Sequence, residues 1–338
     1  MSRHRLAING FGRIGRCFTR IAARDPNCPF DIVAANDLAP AESLAYLTRY
    51  DSTHGRLDVP VALADGHLQV GKQKILLTAQ TDPAQLPWAS LGVDLVVEST
   101  GKFTKRSAAA AHLTAGAKRV LISAPGDAKD APDATVVRGI NDEVLKPEHT
   151  VVSAASCTTT CLAPVGKALE AAFGIQSGIM TTVHAFTGDQ VVLDLPHKKE
   201  FRRGRTASQN IVPTSTGAAK AIGLVVPSLN GKLNGIALRV PVPDVSLCDL
   251  AVVVGRAVTA DEVNAVLRKA AAEYAPGTLR IEDDPVVSSD LIGDPTGSII
   301  DAALTYVQGG TLVKVVAWYD NEWGYANRLY QLAIHMLG

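Results

Sequence analysis

Cys157 and His184 are the two residues of this chain whose types and settings best suit covalent chemistry. Cys157 stands in Ala154-Ala155-Ser156-Cys157-Thr158-Thr159-Thr160-Cys161, after the apolar run Val151–Ser153 and ahead of a helical pattern over Leu162–Phe173. A cysteine near a helix N-terminus meets free N–H groups and the positive end of the dipole. That setting is expected to lower its pKa from about 8.5. The same N–H groups can serve a developing oxyanion. A lone cysteine is more often structural, and Cys161, one turn further on, reads as a small buried hydrophobe. His184 lies in Thr181-Thr182-Val183-His184-Ala185-Phe186-Thr187, among hydroxyls at the end of a strand. By itself such a histidine is more often structural; beside a thiol it is a candidate base.

A second chemistry opens the chain. Gly10-Phe11-Gly12-Arg13-Ile14-Gly15 is a GxGxxG with a strand before it, a helix after it, and an acid, Asp37, 22 residues past Gly15. That context specifies a dinucleotide site. Gly10 allows the tight turn, Gly12 lets backbone approach pyrophosphate, and Gly15 lets helix and strand pack closely. The helix N-terminus favours the anion. Asp37 can bond a ribose 2′-hydroxyl and would repel a 2′-phosphate, so NAD is expected over NADP.

These residues need a frame. Strands are expected at Arg5–Asn9, Asp31–Ala35, Asp94–Ser99 and Arg119–Ser123. Helices are expected at Arg13–Arg24 and Glu42–Arg49 and over 105–117. Continuous apolar strands alternating with helices indicate a parallel α/β sheet. Asp65-Gly66 marks an inserted hairpin. In the second half, Ala251–Val258, Val286–Ser288 and Leu312–Trp318 read as strands, and Thr216–Leu224 and Ala260–Tyr274 as helices. This is an α+β pattern with a mostly antiparallel sheet. The stretch Gly188–Asn210 has no clean period and reads as a long functional or interface loop.

Composition narrows the field. Lys plus Arg and Asp plus Glu are both 33 in 338 residues, so no polycationic footprint points to nucleic acid or an anionic membrane. The 47% apolar content suits a globular core. No uncharged apolar run reaches membrane-spanning length, and the first residues lack a signal-like apolar region. Five cysteines on a long chain do not suggest a disulfide framework. A cytoplasmic setting is expected. Paired CxxC and His-rich clusters are absent from the sequence, so no metal is expected.

Nine motifs, in order, resemble those of phosphorylating glyceraldehyde-3-phosphate dehydrogenases over nearly the whole chain. They are Asn9–Arg16 (NGFGRIGR), Tyr50–Leu57 (YDSTHGRL), Glu98–Gly101 (ESTG), Ser123–Pro125 (SAP) and Ala155–Thr159 (ASCTT). They continue with Thr181–His184 (TTVH), Pro213–Lys220 (PTSTGAAK), Gly231–Pro241 (GKLNGIALRVP) and Trp318–Tyr325 (WYDNEWGY). The resemblance implies a Rossmann-type NAD-binding domain over 1–156, completed by a C-terminal helix at 320–338, and a catalytic domain over 157–319. It implies the glycolytic oxidation of glyceraldehyde 3-phosphate with inorganic phosphate to 1,3-bisphosphoglycerate. In that reading Cys157 is the nucleophile that carries the thioester and His184 its base.

The resemblance also implies the remaining roles. Thr187, Arg203 and Arg239 would hold the substrate phosphate, with Asp189 orienting the arginines. Ser156, Thr158, Thr216 and Gly217 would form the attacking-phosphate site. Arg13 and Ile14 would stand at the pyrophosphate, Thr100 and Ser123 along the nicotinamide half, and Asn321 and Tyr325 near the nicotinamide amide. Pro196, in Leu193–Pro196 (LDLP), matches the NAD-selective form of the long loop. That loop reaches a neighbouring subunit in the family, so a homotetramer is implied. Three positions depart from the family pattern. Thr160 replaces a usual asparagine, which would loosen geometry near the cysteine; Thr81 replaces an arginine near the adenine; and an extra residue falls around Lys199–Glu200. Two alternatives share much of the pattern: an erythrose-4-phosphate dehydrogenase, and an NAD-binding protein with weak catalysis and a binding or regulatory role. Thr214–Lys220 (TSTGAAK) favours the phosphorolytic enzyme.

Overall fold

A computed structural model describes residues 3–197 and 200–338 of the chain. They form two compact units, one of residues 1–155 with 326–338 and one of residues 156–325. The division falls one residue before the expected boundary, and the C-terminal return begins at Ala326 rather than at 320. Of the extra loop residue expected around Lys199–Glu200, Lys199 lies outside the described residues.

The first unit carries β1 (His4–Asn9), β2 (Phe30–Asn36), β3 (Val61–Ala64), β4 (His67–Val70), β5 (Gln73–Thr78), β6 (Leu95–Glu98), β7 (Arg119–Ile122), β8 (Ala134–Thr135) and β9 (Val151–Ser153). Its helices are α1 (Arg13–Arg24), α2 (Ala41–Arg49), α3 (Trp88–Leu91), α4 (Arg106–Ala109) and α5 (Ala111–Thr114). The strands order as β3-β4-β5-β2-β1-β6-β7-β9-β8. All pairs are parallel except those of the β3–β4–β5 insertion. The chain winds outward from β1 both ways, through β2 on one side and β6 on the other. That leaves a crevice at the carboxyl ends of β1 and its neighbours, where doubly wound sheets bind ligands. The four residues of β6 are all buried, as a strand covered on both faces requires. Asp65 and Gly66 both take positive φ, 49° and 72°, in the two-residue turn of the β3–β4 hairpin. The single helix expected over 105–117 is instead two short pieces meeting at Ala110, so high alanine propensity did not secure one continuous helix.

The second unit carries β10 (Ile175–Ala185), β11 (Val212–Ser215), β12 (Leu233–Val240), β13 (Ser246–Val254), β14 (Arg280–Glu282), β15 (Ile299–Asp301), β16 (Tyr306–Gln308) and β17 (Leu312–Tyr319). Its helices are α6 (Cys157–Phe173), α7 (Ala218–Val225) and α8 (Ala260–Glu273). The final helix, α9 (Trp323–Leu337), passes from this unit into the first. The sheet orders as β11-β12-β10-β13-β17-β15-β14 with β16 on β17, and is mostly antiparallel; β10–β12 and β14–β15 are its parallel pairs. β13 starts earlier and stops earlier than Ala251–Val258. Its strict alternation of buried and half-buried residues begins at Ser246 and ends at Val254. Val286–Ser288 is not a strand. A 3₁₀ turn occupies Ser288–Leu291, where Asp290 accepts from the Val287 N–H at 2.8 Å. A local Asx-type bond has displaced the ladder there. Gly188–Asn210 has one 3₁₀ turn, Phe201–Gly204, among its described residues.

Candidate active site

The glycine turn is built as a cradle. Gly10 has φ +92°, and a Cβ there would meet the Thr100 backbone nitrogen at 2.6 Å. A Cβ on Gly15 would meet the Gly10 carbonyl at 2.4 Å, whereas Gly12 faces open space. Two glycines thus allow backbone to approach backbone, and the middle one leaves room for a ligand. Asp37 follows β2, where its Oδ2 accepts from the Phe11 N–H at 2.8 Å. The acid is therefore tied to the turn it was paired with by spacing. A cleft of about 350 Å³ opens here, lined by Gly10, Gly12, Asp37, Thr81 and Thr100 together with Asn9, Asn36, Gln80 and Phe103. Arg13 and Ile14 stand in the first turn of α1, with the Arg13 guanidinium on Asp51. Ser123 follows β7, half-buried, and is not among the residues lining the cleft.

In the second unit α6 presents the cysteine. Ala155 takes a left-handed φ of 57°, uncommon for a residue with a Cβ, as the chain swings from β9 toward α6. Ser156 is the N-cap, its hydroxyl accepting from the Thr159 N–H at 3.0 Å. Cys157 is thereby the first residue of the helix. Its Sγ lies 3.6 Å from His184 Nε2. His184 comes from β10, and the parallel register places Arg239 of β12 directly beside it. Arg239 Nη1 lies 2.9 Å from His184 Nδ1 and also reaches the Ala185 carbonyl at 3.1 Å and the Thr187 hydroxyl at 3.2 Å. The Ala185 carbonyl lies 2.7 Å from Nδ1. Nδ1 thus lies between a donor, Arg239, and an acceptor, the Ala185 carbonyl; the tautomer with its proton on Nδ1, bonded to that carbonyl, is the one that leaves the Nε2 lone pair facing the thiol as a base needs.

The electrostatics correct one expectation. The thiol is not lowered: burial pushes Cys157 up to about 11, against the downward pull of Arg239 and of the Thr158 hydroxyl and N–H. Burial, reinforced by the Arg239 charge, pushes His184 down to about 3, against the bond to the Ala185 carbonyl. Desolvation outweighs the helix terminus, and the resting pair is neutral thiol beside neutral imidazole. Each shift is the cost of one lone charge. Moving the proton from Sγ to Nε2 creates both charges at once, 3.6 Å apart, where their attraction offsets much of that cost.

The other expected residues fall into two groups. Arg203 donates to Asp189 at 2.6 Å, to Glu200 at 3.1 Å and to the Thr214 hydroxyl at 2.8 Å, and the Thr187 hydroxyl also donates to Asp189. Thr187, Asp189, Arg203 and Arg239 are thus one connected cluster next to His184. Ser156 and Thr158 flank the cysteine, while Thr216 and Gly217 lie just before α7, which packs on α6. The Thr158 side chain is turned inward to the Tyr319 hydroxyl at 2.9 Å. A Cβ on Gly217 would meet open space. Asn321 is buried, with its Oδ1 accepting from Ser246 Oγ at 2.6 Å, which leaves its amide nitrogen to offer. Tyr325 is also buried, and Pro196 is exposed on the long loop.

Thr160 does not leave a gap. Its hydroxyl donates to the Ser156 carbonyl at 2.9 Å, one turn back, and the residue is buried. An asparagine amide there would exchange that bond for a larger polar group in a packed turn. Thr160→Asn is therefore expected to give no gain in kcat and to cost about 1 kcal/mol in chemical denaturation. A raised kcat with unchanged KM would instead mark a missing transition-state contact.

Tyr319 was not among the residues singled out from sequence. Its hydroxyl joins Thr158 to Thr182 at 2.9 and 2.8 Å, and its ring stands edge-on to His184 with centroids 5.9 Å apart. Asn9 and Asn36 were also missed. A polar residue closing an otherwise apolar strand was the available signal for both.

A cleft shaped for a dinucleotide, on the same chain as a thiol with a base beside it, places this protein among the dinucleotide-dependent oxidoreductases. The family model for the NAD binding domain of glyceraldehyde 3-phosphate dehydrogenase matches residues 4–106, and that for its C-terminal domain matches residues 156–321. The chain is 52% identical over 333 residues to glyceraldehyde-3-phosphate dehydrogenase 1 of Bacillus subtilis, covering 98% of each. It is 51% identical over 333 residues to the glyceraldehyde-3-phosphate dehydrogenase of Geobacillus stearothermophilus, again covering 98% of each. That of Xanthobacter flavus is 51% identical over 332 residues at the same coverage. The chain belongs to the glyceraldehyde 3-phosphate dehydrogenase family, and its cofactor is NAD. The cradle fits that group: Gly12 leaves open space in which a diphosphate would lie, and the Asp37 carboxylate lines the cleft where it would accept from a ribose diol.

Proposed function

We propose that this chain oxidises glyceraldehyde 3-phosphate and couples the oxidation to phosphate uptake, with Cys157 as nucleophile and His184 as base. The observation that carries this reading is the 3.6 Å approach of Cys157 Sγ to His184 Nε2 beside the Arg239 guanidinium. Thr187, Arg203 and Arg239 hold the substrate phosphate, since arginine forks match phosphate oxygens and Asp189 keeps Arg203 in place. His184 takes the Cys157 proton as Sγ bonds to the aldehyde carbon. The resulting hemithioacetal oxyanion is met by the imidazolium Nε2–H and by backbone N–H groups at the start of α6. NAD, when bound, supplies the acceptor for the hydride leaving that carbon. Cys157 then holds the acyl group as a thioester. A phosphate oxygen, guided by Ser156, Thr158, Thr216 and Gly217, attacks it, and the sulfur leaves to regain its proton. The product is 1,3-bisphosphoglycerate.

The reading extends to assembly. Helices α6, α7 and α8 belong to the second unit, yet Ile179 of β10 and Ile236 of β12 remain exposed on its sheet. On the long loop Val192, Leu193 and Leu195 are exposed, and Phe201 is 93% exposed. This much apolar surface fits burial against further copies of the chain, as a homotetramer. Among the described residues no helix is long and apolar enough to cross a membrane, and the cysteines are free. Both are consistent with work in the cytoplasm.

The test is NADH formation from glyceraldehyde 3-phosphate, with and without inorganic phosphate, beside erythrose 4-phosphate. Turnover should require phosphate and favour the triose. With NADP in place of NAD, kcat/KM should fall roughly 100-fold, because Asp37 repels a 2′-phosphate in a partly desolvated cleft. Phosphate-independent turnover, or a preference for the tetrose, would overturn the reading.

A further inference from the structure

One buried carboxylate of the nucleotide-binding unit takes no part in the chemistry above. Glu98 ends β6 and is 1% exposed. Four donors converge on it. Asn9 Nδ2 at 2.6 Å and His112 Nε2 at 3.1 Å reach Oε2. The Thr100 N–H, at 2.8 Å, and the Thr100 hydroxyl reach Oε1. Trp88 settles which proton His112 carries. Its indole N–H, which can only donate, points at His112 Nδ1 at 3.0 Å. Nδ1 is therefore an acceptor, and the ring proton on Nε2 faces Glu98. Glu98 therefore accepts from four groups, none of them a cation, and Lys102 is the one lysine or arginine lining the cleft beside it.

Two of those groups, Asn9 and Thr100, line the nucleotide cleft. Asp37, after β2, marks the adenosine side of the cleft, and the turn after β1 marks the diphosphate. The sheet reverses direction at β1, so a dinucleotide crossing that point continues to the β6 side with its nicotinamide half. The nicotinamide ring is a cation when oxidised and neutral when reduced. We infer that Glu98 is a fixed negative charge on the β6 side of the cleft that makes the chain hold NAD⁺ in preference to NADH. It does so as a positioning residue, holding Asn9 and Thr100 at the cleft wall while its field reaches the bound ring through a medium of low dielectric constant. The inference rests on NAD as the ligand of this cleft.

The experiment is calorimetric titration of the full chain and of Glu98→Gln with NAD⁺, NADH and ADP-ribose. The amide keeps the shape, loses the charge and leaves part of the donor set without an acceptor, so some loosening common to all three ligands is expected. The charge effect is what differs between them. The ratio Kd(NADH)/Kd(NAD⁺) should fall about fivefold in Glu98→Gln, with ADP-ribose following NADH. If Glu98→Gln does not fold, Glu98→Gln combined with His112→Gln gives the new amide N–H a carbonyl to bond, and the same fall is expected. An unchanged ratio, with all three ligands weakened alike, would overturn the inference and leave Glu98 a structural residue. Failure of the parent chain to bind either nucleotide would overturn both the inference and the cofactor reading beneath it.

Discussion

Cys157→Ser is expected to lower NADH formation on the order of 10⁴-fold or more, the loss typical of removing a nucleophile that works with its base as a unit. A serine hydroxyl is a far poorer nucleophile, and its alkoxide is much harder to form than a thiolate. The cap of the turn does not involve the sulfur. Ser156 caps α6 through Thr159, and Thr160 bonds back to Ser156, so the helix start survives the change. The nucleotide cleft is built from residues of the other unit. The variant should therefore keep its NAD affinity and a thermal midpoint within about 3 °C of the parent. Stopped-flow absorbance at the NADH band would show no burst and no steady state. A variant with substantial turnover would remove Cys157 from the role.

What sequence could reveal here follows from the range of the interactions involved. The β1–turn–α1 segment was legible to the residue at Arg13–Arg24, because hydrophobic period, glycine turn and helix start are all local signals that agree. The hairpin at Asp65-Gly66 was legible for the same reason: two adjacent residues had to accept positive φ. The helix over 105–117 misled because propensity is a weak prior. Alanine after alanine does not say where the chain must bend to bury His112 and Ala109. Val286–Ser288 misled because two successive valines say nothing about whether a neighbouring strand is there to pair with them.

The site divides along the same line. Cys157 and His184 could be singled out from their neighbours, but their 3.6 Å separation is a product of sheet packing. Arg239 beside His184 is set by the β10–β12 register, which no local pattern encodes. The sign of the thiol shift was misread for a related reason. A helix N-terminus can be seen in sequence, whereas the desolvation that outweighs it depends on the tertiary packing around the sulfur. The Glu98 network was equally hidden, since it joins residues 9, 88, 98, 100 and 112 through side chains that each look ordinary in their own segments.

His184→Asn offers the sharper test of how the pair works, because it separates activation of the thiol from the thiol itself. On the proposed mechanism the Cys157 proton leaves for Nε2 inside the pair, so alkylation by iodoacetamide should depend only weakly on pH between 7 and 9. Asparagine has no base. Its thiolate can form only by titration, and with burial holding the thiol near 11 the thiolate fraction rises tenfold per pH unit up to that value. The variant's alkylation rate should therefore be lower by about 10²-fold at pH 7 and climb roughly tenfold for each unit of pH. Oxidation of glyceraldehyde 3-phosphate should fall by 10² to 10⁴-fold, the usual range for a removed general base. Its KM should change little, since Arg203, Arg239 and Thr187, proposed to hold the substrate phosphate, are unaltered. Should the alkylation profiles of parent and variant run parallel, the imidazole would be a structural neighbour of the thiol, and the proton would have to leave Cys157 by another route.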